Sequence, residues 1–262
     1  MTSKSVASLR TSAVIAAFAA LAALNGAAQA ENKAVTYKGK AVRIGNGSAH
    51  TVVHTDASGK PHAIGIVFTS DALEGLPAAG DAGHSDVPYV LPMPVKGPKT
   101  VVDHAVINWE PGGHPPPKVY DVPHFDFHFY LIDPAERASI RFTSENESGE
   151  PSQQPPRELL PEGYVIPPGT AVPEMGVHAI NTASAEFQGQ PFNATFIYGY
   201  YNQRLTFLEP MASLEFLKSK PNFSAPVIRP ARYNKQGTYP SSYTIDYNAA
   251  SKIYEVGLRD LQ

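Results

Sequence analysis

One stretch constrains this chain more than any other: His124-Phe125-Asp126-Phe127-His128-Phe129-Tyr130-Leu131-Ile132. Successive side chains of a β-strand point to opposite sides of the sheet, so the stretch reads with a period of two. Phe125, Phe127, Phe129 and Leu131 fall on one face, which only a hydrophobic core can satisfy. His124, Asp126, His128 and Tyr130 fall on the other. A strand that simply faced water would need no such run of metal-ligand and acid/base residue types, so this second face is expected to line a pocket.

Composition fits a β-rich chain around that strand. There are 25 prolines and 20 glycines spread along 262 residues, which favours short strands joined by turns over long helices. Hydrophobic residues at 42% suffice for a real core, and a net charge of -3 without any Lys/Arg run excludes a nucleic-acid footprint. The expectation is a mainly β single domain, a barrel or a sandwich, with one or two short helices. Strands are expected at 64–68, 100–109, 174–181, 193–200, 203–208, 242–247 and 252–257. Residues 76–98 read as a covering loop, 137–143 as a return strand, and 211–218 as a short helix that Pro210 opens and Glu209 or a residue near it caps.

Residues 1–30 read as a secretory signal peptide. Lys4 and Arg10 give a positive start, 12–24 is an apolar run shorter than the ~20 residues a membrane span needs, and Ala28-Gln29-Ala30 is a small-residue cleavage site. Cleavage after Ala30 leaves 31–262 as one β-rich domain with its central motif region at 101–217, periplasmic or secreted. No second apolar run of that length follows, so no membrane anchor is expected after cleavage. There is no cysteine, hence no disulfide framework and no thiol chemistry.

His124, Asp126, His128 and His178 are the candidate metal ligands. Imidazole and carboxylate suit a divalent ion such as Zn, Fe or Mn. On a regular strand residues two apart lie ~6.6 Å from each other and residues four apart ~13 Å, so one ion spans neighbours two apart and hardly more. His178, preceded by Gly176, is expected to arrive from another strand, and Glu174 or His114 to complete the set. If the protein is an enzyme, Glu174 and Tyr130 are the candidates for proton transfer, in a metal-dependent hydrolase, lyase or oxidoreductase. A metal-free polar pocket and a purely structural hydrogen-bonded network remain open beside metal binding. So does a non-catalytic protein that binds a small-molecule ligand, or a stress-related homo-oligomer. No nucleotide-cofactor motif is present.

Trp109-x-Pro111-x-Gly113-His114-x-Pro116, Pro123 to Tyr130, Met175-Gly176-x-His178, Tyr198-Gly199 and Phe207-x-Glu209-Pro210-Met211 together resemble an uncharacterised family of exported bacterial proteins of unknown function. The resemblance implies an exported β-rich domain and no particular reaction. A looser similarity is to the cupins, in which Gly163, Pro167, Gly169, His178 and Asn181 would stand for the second motif. His124-x-Asp126-x-His128 departs from their first motif, with Asp where a His is expected.

Overall fold

The computed structural model describes residues 1–2, 33–79 and 87–262. The signal-peptide reading therefore lies outside the described residues. Residues Asn32–Gln262 form one compact unit. It begins with β1 (Val35–Lys38), β2 (Val42–Ile44), β3 (Gly47–Thr55), β4 (Pro61–Thr69) and β5 (Val87–Pro92). Next come β6 (His104–Glu110), β7 (His124–Tyr130), helix α1 (Pro134–Ser139), β8 (Tyr164–Val165), β9 (Ala171–Val172) and β10 (Gly176–Asn181). The chain ends with β11 (Ala194–Tyr201), β12 (Arg204–Ser213), helix α2 (Leu214–Lys218), β13 (Asn222–Pro226), β14 (Ser242–Asn248) and β15 (Ile253–Arg259). None of the described helices is long and apolar enough to cross a membrane.

The strands form two antiparallel sheets. One runs β1-β3-β4-β15-β14-β13 with β2 on β3, and the other β5-β6-β7-β12-β11-β10-β8 with β9 on β10. Neither closes on itself, so the architecture is a sandwich rather than a barrel. Their facing sides make the core. Phe125, Phe127 and Phe129 of β7, Ile107 of β6 and Tyr198 of β11 pack with Ile64, Ile66 and Phe68 of β4, Ile245 of β14 and Val256 of β15. Phe68 stacks on Phe127 at 5.7 Å, and Phe196 meets Tyr243 at 5.2 Å across the layers. Each such ring contributes about 1.5–3 kcal/mol on burial.

The period-two reading of β7 holds, with one refinement: all seven residues are buried, so the strand is covered on both sides. Its face of His124, Asp126, His128 and Tyr130 is the outer side of the sandwich, roofed by loops. Two small apolar clusters flank that face. One holds Tyr120, Ile180, Phe192, Ile197 and Met211, and the other Val106, Tyr130, Ile132, Ile140, Met175 and Phe207.

Three local expectations are corrected. Residues 76–98 contain β5, a strand that keeps Pro88 and Pro92 because it lies at a sheet edge, where a missing N–H costs no ladder bond. Residues 137–143 do not return beside β7. Asp133 caps α1 by accepting from the N–H groups of Ala135 and Glu136, and Pro134 opens the helix. The neighbours of β7 are instead β6 and β12, both antiparallel to it. Finally, β12 continues through Glu209 and Pro210 to Ser213, whose side chain caps α2. Glu209 is thus a mid-strand residue and not a helix cap.

Candidate functional site

Sheet register brings the site together. His124, Asp126 and His128 alternate along β7, and Glu110 and Asn108 of β6 stand opposite His124 and Asp126. On the other side, β12 pairs Phe207 with Tyr130 and Met211 with Asp126, which sets Glu209 opposite His128. His178 of β10 pairs with Gly199 of β11, and Gly199 pairs with Phe207. A methyl group on Gly199 would overlap the Phe207 ring. The bare Cα lets that ring lie across β11, where it contacts both His128 and His178, with centroids at 4.6 and 5.3 Å.

Two trios result. His114, His124 and Asp126 form one, and His128, His178 and Glu209 the other; within each, one ligand atom per residue lies within 4.8 Å of the other two. The four residues singled out in the sequence are therefore divided between two neighbouring groups. His114 joins the first from the loop after β6. Gly113, at φ +69, turns the chain there so closely against the Tyr120 backbone that no side chain fits. The His114 N–H then donates to the Tyr120 carbonyl at 3.1 Å, and the two rings meet edge-on at 5.7 Å.

Hydrogen bonding sets the orientation of the imidazoles. Nδ1 of His114 lies 2.7 Å from the Pro115 carbonyl, that of His124 lies 2.6 Å from the Val122 carbonyl, and that of His178 lies 2.9 Å from the Thr170 carbonyl. A carbonyl only accepts, so each Nδ1 carries the proton, and in the neutral ring Nε2 presents its lone pair. Metal-binding histidines are oriented in this same way by their other ring nitrogen. In the first trio Nε2 of His124 faces Asp126 Oδ1 at 3.2 Å, and Nε2 of His114 faces Asp126 Oδ2 at 3.7 Å. In the second, Nε2 of His128 faces Glu209 Oε1 at 3.4 Å.

These distances exceed the 2.7–3.0 Å of a strong charged hydrogen bond. Nε2 of His124, Oδ1 of Asp126, both ring nitrogens of His128 and Oε2 of Glu209 are buried and make no hydrogen bond. A tetrahedral ion with bonds of ~2.0–2.1 Å holds neighbouring donors about 3.3 Å apart. The observed spacings of 3.2 and 3.4 Å match that edge.

Electrostatics differ between the trios. Burial opposes the charge on Asp126, but His124 and His114 outweigh it and hold the carboxyl far below its usual range. Burial would likewise lower His114, yet Asp126 prevails and raises it to about 9. The first trio is thus an ion pair at neutral pH, and an incoming cation takes the place of the His114 proton. In the second trio burial lowers His128 to about 3 and His178 to about 4. Burial, with the charges of Asp126 and Glu110, pushes Glu209 well above the usual carboxylate range. That trio is uncharged without a ligand.

Of the two proton-transfer candidates, one lies away from the trios and the other beside the second. Glu174 is in the turn before β10 at φ +62, its side chain 48% exposed and paired with Arg137 at 3.4 Å. Tyr130 is fully buried; its hydroxyl donates to the Glu174 carbonyl at 3.3 Å, and its ring stacks between His104 and His128. Neither belongs to a trio. Glu209, read from the sequence as a helix cap, is the carboxylate of the second trio. The available signal was parity: Phe207, Glu209 and Met211 share one face of a strand, and only Glu209 is polar there.

Fold and site define a two-sheet β-sandwich that carries a roofed histidine and carboxylate face. The family model described as TTHB210-like, hypothetical protein TTHB210, matches residues 56–109. That stretch takes in β4, β5 and most of β6 and contains no residue of either trio, and its description carries no activity. No curated protein and no solved structure matches the chain.

Proposed function

We propose that this protein binds a divalent cation, Zn, Fe or Mn, through Nε2 of His114, Nε2 of His124 and a carboxylate oxygen of Asp126. One observation carries the reading: two imidazoles, each anchored at Nδ1 by a backbone carbonyl, aim Nε2 at one carboxylate across 3.2 and 3.7 Å. The 3.2 Å contact is made by atoms without a hydrogen bond and at the donor spacing of a coordinated ion. Three protein donors leave a position for water or a substrate oxygen, which a divalent ion polarises or activates. His114 keeps 32% of its side chain exposed and marks the side from which ion and water arrive. Export from the cytoplasm, which the residues at 1–30 suggest, would place this centre in the periplasm or outside the cell.

The test is metal analysis of protein made without an affinity tag, replenished in turn with Zn, Mn and Fe(II), then dialysed. At least one equivalent is expected, and one equivalent fewer in His114→Ala and in Asp126→Asn. His114 lies on a partly exposed loop, so its removal leaves the sandwich folded. Metal-free wild-type protein, or full loading in both variants, overturns the reading.

A further inference from the structure

We infer that His128, His178 and Glu209 hold a second divalent cation beside the first, making the centre a two-ion site. The inference deepens the reading above and rests on it only for the ligand class. Its own support is the second trio. Three different strands, β7, β10 and β12, deliver one donor each, and the ligand atoms lie within 4.8 Å of one another. His128 is fully buried, with both ring nitrogens lacking a hydrogen bond, and Glu209 is 2% exposed with Oε2 equally bare.

Leaving such groups unsatisfied costs about 1–3 kcal/mol each, which a chain ordinarily avoids by supplying a partner or an apolar residue. A structural His–Glu pair would close to 2.7–3.0 Å. Here Nε2 and Oε1 stand 3.4 Å apart without a hydrogen bond, at the donor spacing of a bound ion. His178 is oriented toward this role by its Nδ1 contact to Thr170.

Two ions are required rather than one shared among six donors. Asp126 and His128 are two residues apart on a regular strand, so their Cα atoms are ~6.6 Å apart, and His124 and His128 are separated by ~13 Å. Bonds of ~2.0–2.2 Å cannot span that row from one point. The placement on one strand face sets the two centres along the same side of the sheet.

Metal stoichiometry of tag-free protein, loaded separately with Zn and Mn, tests this. Wild type should carry two equivalents, His178→Ala and Glu209→Gln one, and His114→Ala one. Circular dichroism on each variant verifies the fold, and His178→Ala stands alone if Glu209→Gln does not fold. One equivalent in wild type that survives His178→Ala and disappears in His114→Ala overturns the second ion and leaves the first in place. One equivalent that behaves in the opposite way overturns the first site and keeps the second. No metal in wild type overturns both.

Discussion

Replacing Glu209 by methionine separates a metal site from a structural polar network, because the two accounts predict opposite signs. Glu209 is 2% exposed, stands opposite His128 in the sheet, and leaves Oε2 without a partner. Methionine is unbranched and of similar volume, so the substitution removes buried polarity while filling the same space. In chelator, relief of the unsatisfied carboxyl should stabilise the fold by about 1–3 kcal/mol, or roughly 2–10 °C in a domain of this size. In metal that lead should shrink by one ion's contribution or reverse. At a free concentration a hundredfold above Kd, each ion adds about 2.7 kcal/mol to the chain that binds it. Wild type should therefore gain from both ions and Glu209→Met from one. Thermal unfolding of both proteins, in chelator and in Zn, is the assay. Lower stability of Glu209→Met in chelator would show that the carboxyl has a structural partner after all. An equal response of the two proteins to metal would remove its role as a ligand.

Three further outcomes are expected. In chelator, stability should fall as the pH drops below 6.5. His128 and His178 are held neutral in the folded chain, to about 3 and 4, while the unfolded chain takes up their protons. The slope is about 1.4 kcal/mol per pH unit for each ring, and a flat denaturation profile down to pH 4 contradicts it. His114 has the opposite sign: its contribution is full below pH 6.5 and fades as the pH rises toward about 9. Gly199→Ala should cost about 1–3 kcal/mol by forcing the Phe207 ring off β11, and should weaken metal loading at His178 more than at His114; unchanged melting and loading would refute the packing argument. Gln203→Gly, at φ +65 in the turn between β11 and β12, should raise stability by up to about 1 kcal/mol, and a lower melting temperature would count against it.

What could be read from the residues was what local periodicity encodes. β7 was legible because its two faces carry different chemistry at a strict period of two, and the β11–β12 hairpin because its strands adjoin a tight turn. The turn falls at Asn202–Gln203, both at positive φ, one residue past the place the pattern suggested. Parity along the strand pointed to Glu209, but Pro210 after it is equally at home at the start of a helix, so parity alone could not decide. Only the pairing of β12 with β7, more than seventy residues apart, shows that Pro210 lies within a strand. His114 could be named from the residues only as an alternative to Glu174; what commits it is the turn at Gly113, a tertiary contact with Tyr120. Residues 87–92 read as loop for a related reason, since the tolerance of an edge strand for proline depends on its place in the sheet. His178 lies on β10 with its ring 6.4 Å from that of His128, a neighbour that its spacing in the chain could suggest but not fix. The carboxylate grouped within 4.8 Å of it and His128 is that of Glu209.

Anomalous diffraction from crystals soaked in Zn addresses the central claim most directly. The account predicts a peak about 2.0–2.2 Å from both His124 Nε2 and an Asp126 oxygen, with the His114 ring drawn in to the same distance. A map with no peak there, and a His114 ring that keeps its 3.7 Å distance from the Asp126 carboxylate, would contradict it.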